Sequence, residues 1–114
     1  MTETIGKLFF TRHGETTEVK VSSDKQKPNA RLSEKGIQQV KKNAIKLKRL
    51  LDLKSKIVFV YDGNTERTKE SLFYLLSEIF PDSINIDQEY NEDNFGKLIK
   101  KIENNVEVKA SGGL

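Results

Sequence analysis

The sequence predicts a single α/β domain over residues 1–108, a three-layer sandwich built around a mainly parallel sheet. Short apolar runs of strand length alternate along the chain with longer segments whose apolar residues recur at helical spacing. The first two runs lack the alternation of a sheet with one wet face, which predicts strands buried on both faces. Strands that alternate with helices favour parallel pairing through right-handed crossovers.

The first half of the chain predicts one strand, one long loop and one helix. Residues 5–11 form the first predicted strand, which ends at the break that Gly14 introduces. Residues 17–31 are polar with one proline and predict a loop, and loops of this length in a small domain are often functional. Ser33 is suited to cap a helix that runs to about Leu53, with apolar residues on one side and lysines on the other.

The second half of the chain repeats this order. Residues 57–61 are β-branched and aromatic and predict a second strand. A second helix is predicted from Asn64 or Thr65, and Pro81 stops it. The remaining predicted elements are a short third strand, a last helix and a flexible tail, at residues 84–86, 95–106 and 109–114.

Composition excludes several classes of function. The chain has no cysteine, which excludes disulfides, thiol catalysis and the usual structural zinc sites. Its single histidine excludes a multi-histidine metal site. No apolar run approaches the roughly 18 residues of a membrane span, and the N-terminus lacks the apolar core of a signal peptide. We therefore expect a cytoplasmic domain with no membrane partner.

Basic residues are concentrated in the first predicted helix and just after it. Between residues 41 and 56, the lysines and Arg49 face one acid, Asp52. A basic face of this kind could bind nucleic acid, which is a third hypothesis for this chain. No aromatic residue interrupts the stretch to stack on bases. A solvated helix face is therefore the favoured interpretation, and a nucleic-acid partner is not expected.

Side chains able to do chemistry follow each predicted strand. Arg12 and His13 follow the first strand, Arg67 follows the second, and several carboxylates between residues 89 and 96 follow the third. In parallel sheets, ligands bind beyond the carboxyl ends of the strands. We therefore expect these groups to share one rim of the domain.

This combination of groups favours a phosphoryl group as the ligand. Two guanidinium groups can clamp a phosphate dianion bidentately, and backbone N–H groups in a glycine-containing turn add anion donors. A neutral imidazole between them can attack phosphorus, and a protonated carboxylic acid nearby could protonate the leaving oxygen. The scheme requires neither a metal nor another cofactor.

The segment Arg-His-Gly-Glu-Thr at residues 12–16 resembles the signature of the histidine phosphatase superfamily, the phosphoglycerate mutase-like proteins. Three later segments are similar to segments of that family in the same order, at residues 32–39, 60–68 and 90–96. The resemblance implies a shortened histidine phosphatase fold and phosphomonoester hydrolysis through a phosphohistidine. The substrate would be a small-molecule or protein phosphomonoester.

The resemblance also implies roles for particular residues. His13 would be the phosphorylated nucleophile, and Arg12 and Arg67 would hold the phosphoryl oxygens. Glu92 would be the proton donor. Thr16 would assist through its hydroxyl or its backbone N–H.

Simpler interpretations stand beside these roles. Arg67 could pair with a glutamate of its own helix, Glu66 or Glu70, instead of a phosphate. The proton donor could also be Glu89 or Asp93, and any of these acids could be only a loop carboxylate.

Departures from the family pattern count against catalysis. Val19 stands where the family often has asparagine, and Asp62 adds a negative charge near the expected phosphate pocket. The family's second catalytic histidine follows a later strand, whereas this chain has one histidine and ends at Leu114. Loss of one such donor typically costs about 10²–10³ in rate.

The missing portion also leaves a gap in the expected sheet. In the family, the absent strand lies between the first two predicted strands, so these must pair directly, a second copy must complete the sheet, or the domain is incomplete. The leading hypothesis is metal-independent phosphomonoester hydrolysis through His13. The alternative is a truncated or degenerate, non-catalytic phosphatase-like domain that binds a phosphorylated ligand or a partner protein.

Overall fold

The computed structural model of the chain describes residues 6–13, 16–23, 32–62, 66–83, 89–102 and 105–111. Its strands are β1 (Gly6–His13), β2 (Thr16–Ser23), β3 (Lys56–Asp62) and β4 (Val106–Ser111). Its helices are α1 (Glu34–Leu50), α2 (Glu66–Ile79), a short 3-10 helix (Pro81–Ser83) and α3 (Glu92–Lys101).

The four strands form one sheet in the order β1-β2-β3-β4. β2, β3 and β4 run parallel, with Val19 opposite Phe59 and Phe59 opposite Val108. β1 runs antiparallel to β2 at one edge of the sheet. The predicted α/β class and the mainly parallel sheet are therefore confirmed.

The core lies on one face of the parallel strands. The connections β2–α1–β3 and β3–α2–α3–β4 step across the sheet in the same direction, and right-handed crossovers then leave all three helices on the same side. Val19, Ile57 and Phe59 are completely buried on this face, and Val106 and Val108 pack against the same core. The described helices and the parallel strands therefore share one core.

The first helix begins as its sequence predicts. The Ser33 hydroxyl accepts a hydrogen bond from the Gly36 amide at 3.0 Å, which satisfies one of the free N–H groups of the first turn. The helix ends at Leu50, somewhat before the predicted end at Leu53. Its buried side chains lie at helical spacing, as expected of a helix with one face on a core.

The second helix is the most deeply buried one. Leu72, Leu75 and Leu76 are completely inaccessible to solvent, and the helix ends at Ile79, shortly before Pro81, as predicted. The two residues predicted to start this helix lie outside the described residues. α2 therefore forms the centre of the helical layer, with α1 and α3 on either side.

β2 occupies the first part of a segment predicted to be a loop, residues 17–31, so that prediction is wrong for this part. Its residues alternate, because Thr17, Val19 and Val21 are buried and the residues between them are exposed or half-buried. This alternation is a strand signal that the polar composition of the segment obscured. β2 lies between β1 and β3, in the place expected to be empty. Residues 24–31 lie outside the described residues.

β4 corrects the prediction for the end of the chain. The last helix ends before Val106, and from there the chain pairs with β3, with Val106 and Val108 against the core. Residues 109–111, predicted to begin a flexible tail, belong to this strand because their backbone completes the pairing with β3. The predicted strand at residues 84–86 and the last residues, 112–114, lie outside the described residues.

Candidate functional site

The carboxyl end of β3 and the start of α2 form the first part of the candidate site. β3 ends at Asp62 and α2 begins at Glu66, so Arg67 lies in the first turn of α2. Amide N–H groups in the first turn of a helix have no partner within the helix and give that end a partial positive charge. An anion bound at this end of α2 would be favoured by that partial positive charge.

The start of α3 presents Glu92 in its first turn. Asn91 caps the helix, and its side-chain oxygen accepts a hydrogen bond from the Asn94 amide at 2.7 Å. The Asn94 side chain donates to the Glu89 carbonyl oxygen at 2.9 Å, which closes the turn before the helix. The Glu92 side chain is 71% exposed, and its Oε2 lies 3.6 Å from Nζ of Lys69 in α2. The predicted proton donor is thus an exposed carboxylate paired with a lysine of the neighbouring helix.

Tyr90 joins the starts of the two helices. It is only 4% exposed, and its hydroxyl donates a hydrogen bond to Glu66 Oε1 at 2.8 Å. Its backbone amide donates to the hydroxyl of Tyr74 at 3.3 Å. One buried side chain therefore connects the first turn of α2 to the segment that leads into α3. We call the group Glu66, Arg67, Lys69, Tyr90 and Glu92 the α2–α3 edge.

An aromatic cluster lies beneath the α2–α3 edge. The ring of Tyr90 makes edge contacts with Phe73, at 5.6 Å between centroids, and with Phe95, at 6.2 Å. Phe95 makes a further edge contact with Tyr61 of β3 at 5.8 Å. Such pairs contribute about 0.5–1.5 kcal/mol each beyond the area that they bury. The cluster anchors α2, α3 and the end of β3 to one another.

Arg12, His13 and Thr16 lie at the opposite end of the strands. His13 pairs with Thr16, and Thr16 pairs with Lys56, the first residue of β3. The start of α2 follows Asp62, the last residue of the same strand. At about 3.3 Å per residue, the two ends of β3 are roughly 20 Å apart. The structure therefore brings Arg67 and Glu92 to one edge and leaves the other three predicted site residues at the other edge.

The direction of β1 causes this separation. Two residues, Gly14 and Glu15, connect β1 to β2. Connections of this length join antiparallel strands, whereas a parallel connection needs a dozen residues or more. The carboxyl end of β1 therefore lies beside the amino ends of the parallel strands, contrary to the expectation of one shared rim. The individual roles of the five residues stay predictions.

Sequence reasoning missed two residues that organise the α2–α3 edge, Lys69 and Tyr90. Tyr90 and its partner Glu66 are 24 residues apart, so no local spacing indicates that they meet. Of the two glutamates considered as partners of Arg67, Glu66 accepts a hydrogen bond from the Tyr90 hydroxyl, and buried Glu70 accepts one from the Leu32 amide at 2.8 Å. The side chain of Arg67 lies outside the described part of the structure, so its pairing with either glutamate stays a prediction. The one sequence signal for Tyr90 was the likeness of residues 90–96 to a family segment. That likeness indicated that the segment belongs to the site, but it did not indicate the hydrogen bond to Glu66.

The fold and this site define an α/β domain whose candidate ligand is an anion. Comparison with known protein families matches residues 8–110 to the histidine phosphatase superfamily (branch 1). The chain belongs to this superfamily, which confirms the resemblance at that level and supports a phosphatase-like function in general terms. No curated protein and no solved structure matches the chain.

Two further observations concern the described ranges only. Their histidine, aspartate and glutamate side chains form no group of three or more that could hold a metal ion. None of their helices has both the length and the apolar character that crossing a membrane requires.

Proposed function

We propose that this chain is a phosphatase-like domain that binds phosphomonoesters at the α2–α3 edge and does not hydrolyse them in a single copy. The observation that carries the proposal is the position of Arg67 in the first turn of α2, in a chain that matches the superfamily over residues 8–110. A phosphate dianion at this position would be stabilised by the arginine and by the partial positive charge at the start of the helix.

The charges of the α2–α3 edge are compatible with anion binding. Lys69 pairs with Glu92 at 3.6 Å, and the glutamate is largely exposed. Exposed pairs of this kind contribute only about 0–1 kcal/mol. Charge-assisted hydrogen bonds from arginine or lysine to a phosphate are stronger. A phosphate can therefore displace Glu92 from Lys69 at little cost.

The distance between the two ends of β3 is the reason to expect no hydrolysis in one copy. Attack on phosphorus needs the nucleophile within about 3–3.5 Å of the phosphorus atom. His13 lies at the end of β3 opposite to Arg67, and the strand spans roughly 20 Å. The chain also has a single histidine, so no second imidazole can assist the transfer.

A second candidate function, hydrolysis, is favoured by the signature-like segment that contains His13. In this scheme an imidazole nitrogen of His13 forms a bond to phosphorus while the ester P–O bond breaks, and protonated Glu92 donates its proton to the leaving oxygen. Water then cleaves the N–P bond and releases inorganic phosphate. Arg12 and Arg67 would hold the phosphoryl oxygens, with assistance from Thr16. The scheme requires the two edges to meet, for example if β1 of one copy supplied His13 to the α2–α3 edge of another.

One set of measurements separates the two candidates. The purified chain and the variant His13→Gln are compared in aryl-phosphate hydrolysis over a range of protein concentrations, with Lys100→Gln as a control on the exposed side of α3. Binding of inorganic phosphate to the same samples is followed by ³¹P NMR titration. Phosphate binding with equal background hydrolysis in all three proteins is the expected result.

Other outcomes are equally informative. Hydrolysis that His13→Gln abolishes and Lys100→Gln retains would replace the proposal with the second candidate. A rate per molecule that rises with protein concentration would indicate that two copies form the active site. Absence of both binding and hydrolysis would contradict both candidates.

A further inference from the structure

The parallel strands have a second face, which none of the described helices covers. Residues opposite one another in register share a face, and the two central rows of this face hold three residues each, with Lys56 in the row before them. We call these six residues the open sheet face: Glu18, Val58, Glu107, Lys20, Val60 and Lys109. It is independent of the candidate phosphate site.

The open sheet face has an apolar centre within a charged frame. Val58 and Val60 belong to the central strand, and Val58 is 7% exposed although it lies outside the helix-covered core cluster. The charged side chains beside them are exposed or half-exposed. Parallel sheets occur almost only with both faces covered. A central strand that is apolar on both faces therefore indicates that something covers this second face.

The two central rows of this face carry charges of opposite sign. Glu18, Val58 and Glu107 are in register across the three strands, so a valine stands between two glutamates. Two residues further along, about 6.6 Å away, Val60 stands between two lysines in the same manner. The pattern is self-complementary, because a copy turned end over end presents its lysine row to the glutamate row.

We propose that two copies of the chain pack through the open sheet face, with the strands of one copy antiparallel to those of the other. A two-fold axis that crosses the strands between the two rows places Glu18 against Lys20, and Glu107 against Lys109, in the second copy. Val58 then meets Val60 of the second copy at the centre. A two-fold axis parallel to the strands would instead place like charges opposite one another, so the charges select the orientation.

The interface should be weak. The three parallel strands lie about 4.8 Å apart, and about six residues of each strand are paired, at about 3.3 Å per residue. The sheet area available for contact is therefore roughly 300 Å². A standard interface buries roughly 800 Å² on each partner. Pairs within one copy also compete, since Lys20 lies 4.0 Å from Glu18 and Lys56 lies 3.9 Å from Glu107. The dimer should therefore form only at high protein concentration and weaken as salt is added.

A charge-swap experiment tests the proposal. Sedimentation equilibrium is measured for the full chain, for a basic-face variant (Glu18→Lys with Glu107→Lys) and for an acidic-face variant (Lys20→Glu with Lys109→Glu). The full chain should dimerise as concentration rises, each variant alone should stay monomeric, and an equimolar mixture of the two variants should associate at least as strongly as the full chain. The control Lys46→Glu with Lys48→Glu makes the same change of net charge as the acidic-face variant, but on exposed positions of α1, and should leave dimerisation intact.

The contrary results are distinct. A full chain that is monomeric up to millimolar concentration, or a mixture that fails to associate, would overturn the proposal. A measurement on the unmodified chain removes any dependence on how the variants fold. Methyl NMR signals of Val58 and Val60 should shift with protein concentration while those of core-facing Val19 do not, and concentration-independent signals would also overturn it.

Discussion

The two ends of β3 differ in how they are built. At its carboxyl end, contacts between residues distant in sequence hold the α2–α3 edge together, among them the hydrogen bond between Tyr90 and Glu66 at 2.8 Å. At its amino end, a two-residue connection places His13 beside Thr16, and this arrangement is local. A short turn between β1 and β2 is thus enough to place the signature segment at the amino end of β3. The other site residues lie at the carboxyl end of β3 because tertiary packing brings the starts of α2 and α3 together.

The largest expected effect comes from removing the side chain that joins the helices. Tyr90→Ala deletes a buried ring and its hydrogen bond to Glu66, and should lower the free energy of unfolding by about 3–4 kcal/mol. Thr16→Ala, at the other end of the strands, should lower it by less than about 1 kcal/mol. Urea unfolding followed by circular dichroism measures both changes. Equal losses would mean that the two ends do not differ in the way described.

The next effect concerns the phosphate affinity of the two ends. Arg67→Ala should weaken the binding of inorganic phosphate about tenfold or more, because a charge-assisted interaction is lost. His13→Gln should change the affinity less than about twofold, since His13 lies at the far end of β3. Titration by ³¹P NMR gives the phosphate affinity of each variant relative to the unmodified chain. Arg49→Ala, on the exposed part of α1, is the control. Equal weakening by Arg67→Ala and His13→Gln would show that both residues contact one phosphate.

A smaller effect isolates the hydroxyl of Tyr90. Tyr90→Phe keeps the ring and its edge contacts with Phe73 and Phe95 but removes the donor to Glu66. The expected loss of stability is about 1 kcal/mol, the usual net contribution of one hydrogen bond. Chemical denaturation of the two Tyr90 variants then separates packing from hydrogen bonding. If Tyr90→Phe lowered the stability as much as Tyr90→Ala does, the hydroxyl alone would account for the stabilising effect of Tyr90.

The smallest effect is expected for the ion pair between Lys69 and Glu92. A double-mutant cycle with Lys69→Met and Glu92→Gln should give a coupling below about 0.5 kcal/mol, because the glutamate is largely exposed. Addition of phosphate should reduce the coupling further if the anion replaces Glu92 beside Lys69. A coupling above about 1.5 kcal/mol, or one that phosphate leaves unchanged, would contradict the displacement argued above.

Several features of the fold could be predicted from local patterns. The cap at Ser33, the buried spacing of α1 and the end of α2 before Pro81 all depend on interactions within a few residues. The sequence of β2 also carries a strand signal, because apolar and polar residues alternate at Val19, Lys20 and Val21. The polar composition of the whole segment favoured the loop interpretation instead. β4 was missed because Val106 continues the apolar spacing of the preceding helix as well as it begins an alternating strand.

The candidate site could be predicted only in part. The residue types that favour phosphate binding, and the superfamily to which the chain belongs, can be identified from Arg67, His13 and the segments around them. The hydrogen bond between Tyr90 and Glu66 could not be predicted, because a contact between residues 24 positions apart produces no periodic pattern in the sequence. The same holds for the grouping of Lys69 with Glu92.

The sequence by itself determined the α/β class, the cap at Ser33, the end of α2 before Pro81 and the superfamily, because each depends on local spacing or on residue identity. Tertiary structure decided the insertion of β2 between β1 and β3, the placement of the helices on one face, and the separation of His13 from Arg67. The physical reason is that strand order and direction depend on which backbones pair across the sheet. Local propensity constrains that choice only at short connections such as the one between β1 and β2.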